Sequence, residues 1–227
     1  MIATLARPAL ARLRQPRPLL GTAAWSVLAV AFSLAARSRG ASHGADRVLV
    51  EAFGGLVLPL AAYMLVGAVV GSRSLAGSGT ALVSFGAPPA RVASSTVGVA
   101  VAACALAGGI LAVLVAMTAH GSSDPPLAGD ALASAYAGAL GGAAYGGWFC
   151  LGASFGRRGG GRTLALVLDW VLGLGQGALA VVTPRAHLRN LLGGTPPMGW
   201  PERASAAALL VLLVVCAAGA VSRSRRG

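Results

Sequence analysis

Long apolar stretches alternate along this chain with short clusters of charged residues. A helix needs about 20 mainly apolar residues to cross the hydrocarbon core of a bilayer, and six stretches are close to that length. The pattern therefore predicts an all-α fold, a polytopic membrane protein with six transmembrane helices. The predicted spans are residues 18–36, 48–71, 94–119, 131–155, 163–183 and 204–222.

The segment before the first span has a helical pattern of its own. In residues 1–17, apolar residues share one side of a helical wheel and arginines flank them, which is typical of a short amphipathic helix at a membrane surface. A frayed basic tail is the alternative. Residues 18–222 form the transmembrane domain and residues 223–227 a basic tail. The apolar residues of the first segment are Ile2, Leu5, Leu10 and Leu13, and the arginines are Arg7 and Arg14.

Composition supports the membrane assignment. Of 227 residues, 56% are hydrophobic and only 11% are charged, and the mean hydropathy is +0.75. A soluble domain has about 25% charged residues, so this chain has too few charges to cover a water-facing surface. A disordered chain needs low hydrophobicity and high charge, and the composition excludes that class as well.

The arginines are distributed unevenly between the two predicted sides of the membrane. Twelve of the 18 lie in the N-terminal segment, the second loop, the fourth loop and the C-terminal tail, which hold no acidic residue. The alternate loops carry the other six arginines together with four acidic residues. By the positive-inside rule both termini are predicted to be cytoplasmic. The protein is predicted to lie in the plasma (inner) membrane. Topology therefore explains the net charge of +12 without a nucleic-acid partner.

The chain has no lysine, because all 18 basic residues are arginine. A Walker A loop requires a lysine on the β- and γ-phosphates of ATP, and Schiff-base chemistry requires a lysine amine. The sequence therefore excludes ATP binding by a P-loop in this chain.

No residues in the sequence have the motifs or spacing expected for catalysis or for binding a cofactor or metal. Residues 152–156 match the G-x-S-x-G pattern of serine hydrolases, but such a serine needs a histidine base. The histidines, His43, His120 and His187, all lie in loops predicted to be external, and no metal-ligand spacing connects them. We therefore predict no enzyme activity and no cofactor. The three cysteines lie within spans and indicate neither a disulfide framework nor a zinc site.

Three polar residues within predicted spans are candidates for function, because polar and ionisable groups in lipid are costly and commonly functional. Asp169 and Gln176 lie seven residues apart on one predicted helix face, which indicates a substrate pathway or a subunit seam. Glu51 begins the second span and is predicted to meet interfacial water or Arg47. The alternative for Asp169 is a pairing with an arginine near the inner leaflet, namely Arg157, Arg158 or Arg162.

The fourth span carries a stripe of small residues. Gly138, Gly142 and Gly146 recur every four residues, so they fall on one side of a helix. Such stripes allow two membrane helices to pack closely. The stripe predicts a close helix contact and nothing more specific.

The second loop, residues 72–93, is predicted to be cytoplasmic yet is rich in apolar residues. It is too long for a tight turn, and Pro88–Pro89 ends any helix formed before it. A short helix whose apolar side docks onto another protein explains the pattern. The alternative is a re-entrant or interfacial segment that rests on its own membrane domain. The apolar residues are Leu75, Leu82, Val83 and Phe85.

In these features the chain resembles the six-span permease subunits of ABC-2 type ABC transporters. Those permeases begin with a basic surface helix, have both ends inside, and carry an R-E-x-G-T-x-x-x-L-x-x-x-P-x-x-R-like pattern in the first cytoplasmic loop. Ser74 stands here where the family has an acidic residue. The segment 184–188 is similar to the P-x-x-H-L segment that precedes the family's last span. The matching loop residues are Arg73, Gly79, Thr80, Leu82, Pro89 and Arg91.

The resemblance implies a transport function. Such permeases pair as homodimers or heterodimers, bind separate ATP-binding subunits through the first cytoplasmic loop, and export hydrophobic or amphiphilic substrates. It implies ATPase coupling for the matching loop residues, and the apolar content of the loop adds Phe85 to that set. The alternative hypothesis is a non-transport membrane anchor or assembly factor for partner proteins.

Overall fold

The computed structural model describes residues 2–38, 48–71, 73–121, 126–156 and 159–225. Every regular element in these ranges is helical, which confirms the all-α prediction for the described part of the chain. A π-helical segment, Val48–Val57, continues directly into α3, and 3₁₀ turns lie at Ala178–Val182 and Pro197–Gly199. The α-helices are α1 Ile2–Leu13, α2 Pro16–Ser38, α3 Leu58–Val70, α4 Leu75–Ser78, α5 Thr80–Ser84, α6 Pro89–Ala119, α7 Leu127–Ala153, α8 Gly161–Gly173, α9 Pro184–Leu191 and α10 Glu202–Ser224.

Four of the described helical stretches are long and apolar enough to cross a membrane. They are Leu20–Ser38, Val48–Val70, Pro89–Ala119 and Glu202–Ser224, and they coincide with the first, second, third and sixth predicted spans. Large apolar side chains such as Leu106, Ile110 and Val214 are exposed on the outside of these helices. This exposure suits contact with lipid, since soluble proteins rarely expose large apolar patches.

The predicted fourth span corresponds to α7, which has 27 residues. At about 1.5 Å per residue it is long enough to cross a bilayer, but its many glycines make it less apolar than the other four. It lies at the centre of the bundle and packs along the length of α6. The glycine stripe makes this contact possible, because a Cβ atom at Gly142 would overlap the carbonyl group of Cys104. The predicted close helix contact is confirmed.

The predicted fifth span, residues 163–183, is not one helix in the structure. Helix α8 ends at Gly173 and has only 13 residues, about 20 Å, which is too short for a hydrocarbon core of about 30 Å. Three of the five residues 173–177 are glycine, and glycine disfavours helix by about 1 kcal/mol per residue. After Gly173 the chain turns through the first 3₁₀ turn into α9, so the prediction of a continuous helix was wrong.

The predicted loop 72–93 is shorter than expected. Helix α3 ends at Val70, and Gly71 follows with φ of 81°, a left-handed conformation that suits glycine after a helix. Helix α6 begins at Pro89, a residue favoured in the first turn because its missing N–H would have no helical partner. Arg91 therefore lies in the first turn of α6 rather than in the loop.

The interior of the bundle is built from α3, α6, α7 and the π-helical segment. Phe53, Tyr145 and Phe149 are fully buried there. The rings of Tyr145 and Phe149 stack with centroids 5.7 Å apart, and Tyr63 meets Phe149 edge-on at 5.8 Å. Aromatic pairs in these geometries stabilise a core beyond their buried area, so this cluster fixes how the central helices meet.

Candidate functional site

The loop between α3 and α6 folds into two short helices with one buried anchor. Ser74 caps α4 by accepting a hydrogen bond from the backbone N–H of Gly77 at 3.3 Å. Leu75 is buried, and Gly79 packs so closely on Val92 that a Cβ atom there would overlap its side chain. The loop is therefore seated on the bundle at its first turn.

The tip of the same loop projects outward. Phe85 follows the last residue of α5 and is 88% exposed, and Gly86 then turns the chain with φ of 87°. Leu82 is half-buried and Val83 is exposed. The predicted apolar set therefore splits into a buried anchor, Leu75, and an exposed tip centred on Phe85. Of the other predicted coupling residues, Gly79 is buried and Arg73, Thr80, Pro89 and Arg91 are exposed.

Arg12 braces this loop from the N-terminal helix. Its guanidinium group donates to the carbonyl oxygen of Val69 at 2.9 Å and to that of Ser78 at 3.1 Å. Val69 and Ser78 lie on either side of the turn between α3 and α4. From the sequence, Arg12 is only one of the twelve arginines that predict topology. The contact was missed because nothing in the sequence pairs an arginine with a carbonyl group more than 50 residues away.

The loop end of the bundle also contains the ends of α7 and α10. A cleft of about 850 Å³ lies between the loop and these two helix ends. The guanidinium group of Arg223 stacks on the ring of Phe155 at 3.9 Å, a cation–π contact. Three segments that the charge count assigns to one side of the membrane therefore lie together. Among the residues lining the cleft are Ser74, Thr80, Val83, Ser154 and Arg225.

Asp169 is fully buried, and its described hydrogen bonds come from Tyr145 and Arg185. The Tyr145 hydroxyl donates to Oδ2 at 2.9 Å, and the backbone N–H of Arg185 donates to Oδ1 at 3.1 Å. Arg185 follows the first residue of α9, so the carboxylate satisfies an N–H that has no partner within that helix. Asp169 thus joins α7, α8 and α9. This arrangement is structural, with the carboxylate enclosed rather than lining an open path.

One predicted partner of Asp169, Arg162, lies elsewhere. Arg162 stacks over the ring of Tyr63 at 4.7 Å, while Arg157 and Arg158 lie outside the described residues. Gln176 follows the end of α8 and is exposed, so it does not share a helix face with Asp169. The prediction of a shared face was wrong because α8 ends before Gln176.

Glu51 lies in the π-helical segment, at the start of the second span as expected, and is exposed. Its predicted neighbour Arg47 lies outside the described residues. His43, one of the three histidines of the chain, also lies outside them.

A second buried polar network, which the sequence does not predict, joins α9 to α10. His187 Nε2 lies 2.8 Å from the carbonyl oxygen of Val181, which can only accept, so this nitrogen carries the proton. Nδ1 then accepts from the Ser205 hydroxyl at 3.2 Å, and the Asn190 amide donates to the same oxygen at 2.9 Å. His187 and Ser205 are both 0% exposed. A serine–histidine pair exists here, but it is enclosed and its hydrogen bonds are satisfied within the protein.

No protein-family model matches the chain, and a comparison with curated proteins finds no match. Among the described residues, no three His, Cys, Asp or Glu side chains cluster as metal ligands would. The two buried networks hold helices together, and the loop end presents an exposed aromatic tip. That tip is the feature on which a function can be argued.

Proposed function

We propose that this chain is the membrane-spanning permease subunit of an ABC-type exporter in the plasma membrane, driven by a separate ATP-binding subunit. The observation that carries the proposal is the position of Phe85, 88% exposed at the tip of a loop that is otherwise seated on the bundle. Aromatic side chains, phenylalanine among them, are enriched in the cores of protein interfaces relative to the rest of the surface. Phe85 is therefore the contact expected to enter a pocket of the ATP-binding subunit.

The way the loop is held supports a coupling role. A displaced Phe85 pulls on α3 and α6 directly, because the loop joins those helices with only 18 residues between Val70 and Pro89. Arg12 connects the same loop to α1 through the carbonyl oxygens of Val69 and Ser78. A force applied at the tip thus reaches three helices at once, which is what the conversion of ATPase movement into helix movement requires.

The energy source is assigned to another chain on chemical grounds. With no lysine, this chain cannot supply the Walker A side chain that contacts the phosphates of ATP. The proposal includes six spans, counting α7 and residues 163–183, cytoplasmic termini and a second permease copy or a related one. A hydrophobic or amphiphilic substrate suits a bundle with so few polar groups in its interior.

The proposal is tested by purifying the tagged chain from its native membranes and measuring ATP hydrolysis in the purified sample. We expect hydrolysis to copurify with the wild-type chain and to fall about tenfold or more in Phe85→Asp, the loss typical of an interface hot spot. Met198→Asp is the matched control, because Met198 is also exposed and lies before the start of α10, at the end of that helix opposite Arg223. Phe85→Trp is expected to retain hydrolysis.

Equal hydrolysis in the Phe85→Asp and wild-type samples would contradict the proposal. Absence of hydrolysis from the wild-type sample, with other proteins still bound, would instead favour a membrane anchor. A photo-crosslinking amino acid at position 85 identifies the contacted protein directly, and we expect that protein to contain a Walker A motif.

A further inference from the structure

An apolar groove of about 950 Å³ lies between α1 and α6 on the outside of the bundle. Leu10 on α1 and Leu106 on α6 both line it and remain 43% and 67% exposed. Along α6 the lining extends from Arg91 to Leu106, about 22 Å at 1.5 Å per residue. One leaflet of hydrocarbon is about 15 Å deep, so the groove is long enough for an acyl chain lying along the helix.

The polar groups of this α1–α6 groove are concentrated at one end. Arg91 lies in the first turn of α6, is exposed, and is the charged residue of the lining. The sequence has no acidic residue between Glu51 and Asp124, so the chain around Arg91 is uniformly basic. A guanidinium group in such surroundings binds phosphate oxygens well, because its planar fork matches their geometry.

Ser95 is a second polar group in the groove, about one helical turn beyond Arg91. It is 8% exposed, and its hydroxyl has no hydrogen-bond partner among the described residues. This hydroxyl lies beneath the surface of the groove, so Arg91 supplies the charged contact at this end. From Arg91 to Leu106 the groove thus presents a cation and then an apolar channel.

We infer that the α1–α6 groove binds one anionic phospholipid. The headgroup phosphate pairs with Arg91, and an acyl chain follows the groove past Gly98 to Leu106. With the predicted cytoplasmic termini, this is a lipid of the cytoplasmic leaflet. The inference does not depend on the transport function.

Charge favours a lipid over a second copy of this chain as the occupant. The predicted cytoplasmic segments of a second copy carry twelve arginines and no acidic residue, so a copy at matching depth would bring like charge to Arg91. An anionic headgroup brings the opposite charge. Close like charges across an interface are strongly unfavourable.

The experiment measures lipid retained by the purified full-length protein in native mass spectrometry. The probes are phosphatidylglycerol and phosphatidylcholine with identical acyl chains. We expect one phosphatidylglycerol to be retained in preference to phosphatidylcholine. Arg91→Gln should reduce this retention about tenfold, as loss of a charge-assisted hydrogen bond predicts, and Arg91→Lys should recover part of it. Arg203→Gln, an exposed arginine at the start of α10, is the control and should leave retention unchanged.

A second variant tests the channel independently of charge. A Cβ atom at Gly98 meets no other atom within 4 Å, so Gly98→Leu fits the fold and fills the groove. It should reduce phosphatidylglycerol retention as strongly as Arg91→Gln does. Gly129→Leu is the matched control, since Gly129 in α7 is equally open. Circular dichroism and size-exclusion profiles verify that each variant folds.

Three outcomes would overturn the inference. The first is equal retention of the two lipids, and the second is equal loss in Arg91→Gln and Arg203→Gln. The third is a change of oligomeric state in Gly98→Leu with lipid retention unaltered, which would show that this face contacts a second copy.

Discussion

The guanidinium group of Arg12 donates to the carbonyl oxygen of Ser78 at 3.1 Å. With its second hydrogen bond to Val69, this contact holds the loop turn against α1. Arg12 and Ser78 are 66 residues apart in the chain, so the brace exists only in the folded protein. It makes the N-terminal helix part of the mechanism proposed for the loop.

Arg12→Gln should loosen this loop. Hydrogen bonds to charged groups contribute about 1.5–3 kcal/mol each, and less where solvent reaches them, so we expect the protein to lose about 1–3 kcal/mol of stability. Chymotrypsin should cut after Phe85 several-fold faster in detergent-purified protein. Arg14→Gln, an exposed neighbour on the same segment, is the control. Equal cleavage rates in the two variants would exclude the brace.

Asp169→Ala should destabilise the protein strongly. It leaves the Tyr145 hydroxyl and the Arg185 N–H buried without an acceptor, and such losses cost about 2–4 kcal/mol together. Tyr145→Phe removes one donor and should cost about 1 kcal/mol. The double variant should lose less than the sum of the two, because the residues share a hydrogen bond. Thermal unfolding in detergent measures all three. An Asp169→Ala protein as stable as wild type but impaired in transport would instead support the pathway role.

Gly142→Ala should disrupt the contact between α6 and α7. The added Cβ atom overlaps the backbone carbonyl of Cys104, which cannot move as a side chain does, and overpacking of this kind costs about 1–3 kcal/mol or more. Gly129→Ala makes the same change at an open position and should be neutral or slightly stabilising, since alanine favours helix. Thermal unfolding midpoints separate the two. A Gly142→Ala midpoint equal to that of Gly129→Ala would contradict the close contact.

His187 should make stability depend on pH. Burial lowers its pKa below the usual value of about 6.5, although its hydrogen bond to the Val181 carbonyl opposes the shift. The unfolded chain therefore binds a proton more readily than the folded protein does. Stability is complete above about pH 6.5 and falls as the pH drops towards the lowered pKa of His187.

The measurement is the thermal unfolding midpoint from about pH 7.5 to pH 5, compared with His187→Gln. We expect the midpoint of the wild-type protein to fall through this range and the variant to lose most of that dependence. A variant that retains the full pH dependence would assign the effect to another group.

The helices could be predicted where the length of an uninterrupted apolar run determines where a helix begins and ends. Span boundaries near Ser38, Ala119 and Ser224 follow from the ends of apolar runs, and the glycine stripe of α7 indicated its close contact correctly. The prediction of the fifth span as one helix was wrong because the mean hydropathy of the stretch does not reveal the glycine cluster at residues 173–177. Such a cluster ends a helix within an apolar stretch.

The partners of the polar residues were not predictable from sequence. Asp169 was identified correctly as an inward-facing residue, but its partners depend on α8 ending early and α9 returning to the bundle. The Arg12 brace and the pairing of His187 with Ser205 likewise depend on contacts between distant segments. The exposed position of Phe85, in contrast, follows from an aromatic residue placed just before a Gly–Ala–Pro–Pro turn.

The account depends most on which side of the membrane holds the loop tip. The direct measurement is labelling of Phe85→Cys and Met198→Cys with a membrane-impermeant maleimide, before and after cell lysis. The native cysteines, Cys104, Cys150 and Cys216, are buried and contribute little background. We expect Met198→Cys to be labelled in intact cells and Phe85→Cys only after lysis. Labelling of Phe85→Cys in intact cells would contradict the account.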